Sequence, residues 1–257
     1  MIRLILGLLF AASTALLAQP QIGGGSCNSA TLSGNYSLTL TGRDVGSTAT
    51  LSTVSVGVGT ATFDGLSKVT LTLTPNTPKG QGTVETLSGT YSMQVNCIGA
   101  VTITTGDTAS FTLASYNQGK SYLLTGQDGT YAFNGSGNSL PSSCSASEVN
   151  GIYSFNGNGF QLTAAAISGV ADFSGLMQFD GTSAVTSTWY VTTSASAQTV
   201  TATGTYTVNS NCSATASLTD STGKAYSLEL TITSGAGNFV LGGVSPAMVF
   251  TGSGRVL

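Results

Sequence analysis

Residues 36–41 read Tyr36-Ser37-Leu38-Thr39-Leu40-Thr41, and residues 69–74 read Val69-Thr70-Leu71-Thr72-Leu73-Thr74. Apolar and hydroxylated side chains alternate one for one, the period of a half-buried β-strand and not of a helix. Threonine suits the wet face of such a strand, being β-branched and tolerant of water. The same alternation runs through Tyr91-Ser92-Met93-Gln94-Val95 and Val101-Thr102-Ile103-Thr104. Turn signals separate the runs: Asp64-Gly65, Gly106-Asp107 and Gln127-Asp128-Gly129. Beyond the N-terminal segment no helical period appears, so the fold class is all-β.

The pattern occurs twice. Cys27-x6-Gly34-x-Tyr36 recurs as Cys144-x6-Gly151-x-Tyr153, and Phe63-Asp64-Gly65 as Phe179-Asp180-Gly181. Gly89-Thr90-Tyr91-x5-Cys97 recurs as Gly204-Thr205-Tyr206-x5-Cys212, and Phe133-x-Gly135-Ser136-Gly137 as Phe250-x-Gly252-Ser253-Gly254. The offsets of 117, 116, 115 and 117 residues define a tandem duplication. Copy one reads as strands near 34–42, 50–63, 67–74, 84–95, 98–105, 108–116, 120–126 and 129–135. Copy two reads as 151–157, 165–179, 183–192, 199–210, 212–220, 224–233, 237–242 and 247–254. Short sequential strands with tight turns predict two tandem eight-stranded antiparallel up-and-down β-barrels, over 27–135 and 144–254, because closure removes exposed edges. Two β-sandwiches are the alternative. The polar stretch 136–143, broken by Pro141, reads as the linker. Gly57, Gly59, Gly169 and Gly175 suggest bulges that bend the long second strand of each copy.

The N-terminus has the layout of a secretory signal peptide over 1–18: a positive start at Arg3, an apolar run from Leu4 to Leu17, and small residues up to Ala18. The expected location is therefore secreted: extracellular, periplasmic or at the cell surface. Each copy carries two cysteines at matching positions, and an oxidising compartment would pair them. Four cysteines allow three pairings. The duplication favours Cys27–Cys97 and Cys144–Cys212, and an up-and-down meander puts both partners of each pair at one barrel end. Charged residues are only 7% of the chain, and the seven basic ones are scattered. That excludes a phosphate-tracking stripe, so no nucleic-acid partner is expected.

The chain contains no histidine. That removes Ser-His-Asp triads, Cys-His dyads and His-ligated zinc or haem, and paired cysteines leave no thiolate nucleophile. No catalytic residue, cofactor or metal site is expected. Asp64 and Asp180 read as turn residues of Asp-Gly hairpins. Asp107 and Asp220 fall at the opposite barrel end, roughly 20 Å away, whereas a glycosidase pair sits within about 10 Å. One loop cluster is peculiar to copy one: Arg43 and Asp44, Asp107, and Asp128 project from one end, a weak candidate for a polar-ligand or Ca²⁺ site. The other local excess is Trp189-Tyr190, with Trp189 on the inward phase and Tyr190 outward. A ligand-stacking Trp189 and a core Trp189 are both readings of that pair. Tyr36, Tyr153, Tyr91, Tyr206, Phe133 and Phe250 fall on the inward phase, as core.

The repeat signature (Cys, then Gly-x-Tyr, then Phe-Asp-Gly, then Gly-Thr-Tyr-x5-Cys) resembles that of duplicated secreted bacterial β-repeat proteins without assigned function, and it covers most of 27–254. That resemblance implies location and repeat unit. The eight-stranded plan is similar to lipocalin, avidin and allene-oxide-cyclase-like barrels, although the Gly-x-Trp of lipocalins is replaced by Gly34-Asn35-Tyr36 and Gly151-Ile152-Tyr153. Low charge, a hydroxyl-rich exterior and two like units lead to the expectation of a non-enzymatic structural or adhesive module whose partner is a cell-surface or matrix component. The alternative is a carrier of a small apolar ligand, which a hollow barrel would favour and a filled one oppose. A dirigent-like or cyclase-like enzyme ranks third.

Overall fold

The computed structural model describes residues 26–44, 53–164, 166–193, 195–233 and 238–257. The segment read as a signal peptide lies outside them. Copy one forms β1 (Ser33–Asp44), β2 (Val54–Asp64), β3 (Lys68–Thr77), β4 (Gly80–Gln81), β5 (Glu85–Met93), β6 (Ile98–Thr105), β7 (Ala109–Tyr116), β8 (Ser121–Gln127) and β9 (Tyr131–Asn138). Copy two forms β10 (Gly151–Thr163), β11 (Ala166–Phe179), β12 (Ala184–Thr193), β13 (Ala197–Val208), β14 (Ser213–Asp220), β15 (Ala225–Thr233), β16 (Asn238–Ser245) and β17 (Met248–Val256). All neighbours are antiparallel. β10 closes on β17, and β1 closes on β9, giving the two expected eight-stranded barrels. The short β4 is an addition to the expected plan: it extends β3 as a hairpin through Asn76↔Gln81.

Two expectations are corrected. Residues 136–138 of the expected linker continue β9, where Ser136 pairs with Thr39, and Ser139 still bridges to Tyr36. The connection between the barrels is correspondingly short. Of the four glycines read as bulges, three act differently. In β10–β11 the register slips beside Gly169, as a bulge requires, but β2 runs unbroken past Gly57 and Gly59. A Cβ on Gly59 would strike the Thr72 carbonyl, one on Gly175 would meet Trp189 Cβ at 2.5 Å, and one on Gly57 would strike Leu73. These glycines let inward side chains and neighbouring backbone approach closely inside a narrow barrel.

Both barrels carry packed aromatic cores, built by related means. In barrel one Phe63 meets Tyr36, Tyr91 and Tyr122 edge-on at 4.9–5.6 Å. In barrel two Phe179 meets Tyr153, Tyr206 and Phe239 at 4.9–6.1 Å. Buried tyrosine hydroxyls find carbonyls: Tyr36 donates to Gly119 at 2.7 Å, Tyr91 to Leu32 at 2.8 Å, and Tyr122 to Ser37 at 2.9 Å. Disulfides Cys27–Cys97 and Cys144–Cys212 close one end of each barrel across 70 and 68 residues, and no described cysteine is free. Closing loops of that size contributes roughly 4 kcal/mol each in the chain-entropy view. Two closed disulfides fit a non-reducing environment.

The barrels pack side by side. Along β2 the inward phase falls on Ala61 and Phe63, so Val54, Val56 and Val58 point out of barrel one, yet all three are buried. They lie under barrel two, where Val54 and Val56 join Phe160, Leu162 and Val249 in a separate apolar cluster. Each such side chain removed from water contributes on the order of 1.5–3 kcal/mol. Thr231 donates its hydroxyl to the Gly59 carbonyl at 2.9 Å, and the Gln81 amide donates to Glu229 at 2.8 Å. Gly242 is required here, since a Cβ would sit 2.5 Å from a Val58 methyl.

Candidate functional site

The acids of the turns are engaged in building them. Asp64 accepts the backbone N–H groups of Leu66, Ser67 and Lys68 at 2.8–2.9 Å, and Asp180 accepts those of Thr182, Ser183 and Ala184 in the same way. These bonds hold both carboxyls below the usual aspartate range, led by the Lys68 N–H for Asp64 and the Thr182 N–H for Asp180. Asp220 is pulled down to about 2, foremost by the Thr222 hydroxyl at 2.6 Å, with desolvation opposing and the Lys224 N–H and Tyr226 hydroxyl assisting. A carboxylate tied to its own turn and held far below neutral pH is poorly placed for general acid work.

The copy-one loop acids each accept a hydrogen bond close by in sequence. Asp128 accepts from the Thr130 and Tyr131 N–H groups at 2.8 and 2.7 Å, and Asp107 from Thr108 at 2.7 Å. Asp44 accepts from the Thr53 hydroxyl at 3.4 Å. Arg43 turns away to the seam, its guanidinium 5.9 Å above the Phe160 ring. Among the described residues no group of three or more Asp, Glu or Cys side chains converges as a metal site.

Trp189 is inside barrel two. It packs edge-on against Tyr226 at 5.2 Å and near Phe155 at 6.3 Å. Leu73 occupies its place in barrel one, opposite Gly59 as Trp189 is opposite Gly175. The extra ring is thus complementary packing with Tyr226. Between Trp189, Tyr226, Phe155, Phe173, Met248 and Phe250 remains a void of ≈ 20 Å³, about the room one water needs.

Tyr190, one residue on, lies on the other side of the sheet and is 61% exposed. It stands in a shallow depression of ≈ 350 Å³ with Asn156, Asn158, Asp172, Ser174 and Thr192. The register makes this a grid: Asn156, Ser174 and Tyr190 form one row across β10, β11 and β12, and Asn158, Asp172 and Thr192 form the next. With ordinary strand spacing and rise it measures about 10 Å by about 7 Å. Asn156, Asn158 and Asp172 were not singled out from the sequence. The signal was there in the duplication: Asp172 stands mid-strand, where aspartate is disfavoured, at the position Val56 holds in copy one. No known family's model matches the chain, and no curated protein matches it either.

Proposed function

We propose that this chain is a secreted or cell-surface module, structural or adhesive, that turns over no substrate. The packed interior carries the reading. Barrel two keeps only ≈ 20 Å³ of free volume beneath its aromatic layer, whereas ligand pockets span about 300–1,000 Å³; that packing speaks against the apolar-ligand carrier. The turn acids, engaged by backbone N–H groups, support the absence of turnover. Two disulfide-closed barrels joined along an apolar seam suit a rigid spacer or display unit outside the cell. What such a unit offers a partner is its outer surface.

The test is native mass spectrometry of the protein purified from its own host, with cell fractionation alongside. The expected result is the bare mass of a processed, doubly disulfide-bonded chain in the extracellular or surface fraction. A stoichiometric small molecule released on denaturation, or a cytoplasmic location, would overturn the reading.

A further inference from the structure

The two copies use one surface in opposite ways. In barrel one the grid of Thr39, Val58 and Thr74 over Thr41, Val56 and Asn76 has the same register as the Tyr190 grid. There β2 and β3 lie against β15 and β16, and Val56, Val58, Thr74 and Asn76 are buried. In barrel two the matching grid is open to solvent. Val56 has become Asp172, Val58 has become Ser174, Thr74 has become Tyr190, and both threonines of β1 have become Asn156 and Asn158.

A need to keep the open face from mating with another barrel explains part of this. Terminal repeats carry polar outer faces for that reason, and Asp172 and Ser174 serve it. It does not explain Tyr190, where a small polar residue has been exchanged for an exposed aromatic one. Nor does it explain the asparagines: threonine was already polar at those places. Unlike the turn acids, Asn156, Asn158, Asp172 and Tyr190 have no intramolecular side-chain hydrogen bond among the described residues. Their donors and acceptors are free, and three rigid strands fix their spacing.

We infer that this face of barrel two binds a neutral polysaccharide, with one sugar ring stacked on Tyr190 and its hydroxyls held by Asn156, Asn158 and Asp172. The inference deepens the adhesive reading above and rests on it. An aromatic ring face packs against the C–H face of a pyranose and releases water from both. Asparagine amides both donate and accept, and a carboxylate accepts from two neighbouring hydroxyls, which matches the vicinal diols of a sugar. The depression extends. Asn156 and Asn158 also line a cleft of ≈ 440 Å³ between the barrels, opposite Thr39, Thr41 and Asn134. A second hollow of ≈ 510 Å³ meets it at Asn156. A ligand made of linked rings can lie from Tyr190 into the seam; a single ring cannot use that length. Asp172 on the platform and Arg255 at the far hollow are the only charged residues among the described ones lining these three depressions, and Asp172 beside Tyr190 disfavours a uronate there.

Affinity electrophoresis of the full chain through gels holding β-glucan, mannan, galactan or dextran, with alginate as the anionic comparison, tests this. At least one neutral polymer should retard the protein. Tyr190→Ala should weaken that retardation at least tenfold, Tyr190→Trp should retain it, and both variants should melt within a few degrees of the parent. No retardation by any of the four neutral polymers, retardation by alginate alone, or retardation unchanged in Tyr190→Ala would each overturn the inference. Self-association of Asp172→Val/Ser174→Val without sugar binding in the parent would leave capping as the whole explanation and overturn it too. Native mass spectra of the parent report on the module reading separately. A retained small molecule would sink that reading and leave Tyr190-dependent binding standing, whereas a bare mass with no sugar binding would sink this one alone.

Discussion

At the residue scale the two copies comment on each other. Ser115 is fully buried on the inward phase of β7, and its hydroxyl has no partner among the described residues. The matching residue in barrel two is Ile232, also buried: Cys97 accepts the Ser115 N–H as Cys212 accepts that of Ile232. An unmet buried hydroxyl costs about 1–3 kcal/mol, so Ser115→Ala should raise the melting temperature of the chain, against the usual direction for a core truncation. Gly204 gives the opposite expectation. A Cβ there would strike the Ser217 carbonyl and lie 2.8 Å from Leu218 Cα, and Gly89 meets Thr102 and Ile103 in the same way. Gly204→Ala should cost about 1–3 kcal/mol as overpacking does, read as a lower denaturation midpoint with an unchanged slope. Only the glycines kept in both copies were visible as a rule from sequence. Their purpose was not, because a bulge and a close approach ask for the same residue.

At the element scale the strand β2 decides the arrangement of the barrels. Its apolar residues change phase part-way, from Val54, Val56 and Val58 outward to Ala61 and Phe63 inward. Alternation located the strand and set its inner face. It did not disclose that the outer face was also apolar, since Val54-Ser55-Val56-Gly57-Val58-Gly59 alternates valine with small residues without declaring which is inside. The cysteine pairing was legible because duplication and meander agree on it. The seam and the Tyr190 grid were not, because both depend on which faces of two closed barrels meet. The seam makes its own prediction. Burial raises the Glu229 carboxyl above its ordinary value, with the Gln81 amide partly offsetting. A raised folded value means stability present at low pH and lost as the group ionises. Glu229→Gln should therefore melt higher than the parent at pH 7, with the difference closing as pH falls toward about 4. Gly242→Val should wedge the seam at Val58 and increase the radius of gyration in small-angle scattering, with near-UV circular dichroism of the aromatic cores preserved.

At the scale of the whole molecule, stability should be flat across the middle of the pH range once the raised Glu229 carboxyl has ionised. Histidine is absent, so no side chain of ordinary pKa titrates between about pH 5 and 8. The acid limb comes from Asp64, Asp180 and Asp220, whose folded values are lowered. Their contribution is complete above the ordinary aspartate value of about 3.9 and is lost as pH falls toward the Asp220 value of about 2. The alkaline limb comes from the buried tyrosines. Desolvation, chiefly, pushes Tyr91 up to about 12 and raises Tyr36 and Tyr122 as well. Their contribution is present below about pH 10 and is lost as pH climbs toward 12. Melting curves from pH 2 to 12 should give a plateau with two shoulders, and a step near neutrality would contradict this account.

The seam has a direction. One barrel offers the outer face of β2 and the other offers β15 to β17, so the contact joins unlike faces and is not a dyad. A contact between unlike faces leaves one of each kind unused, so repeated it would add barrel after barrel until a ring closed or a filament grew. Thr125 stands where Gly242 makes room for Val58, and Asp172 stands where Val56 is buried. One closes the leading face and the other the trailing face. The chain thus holds a single step of such an assembly, and both terminating groups can be removed by point substitution.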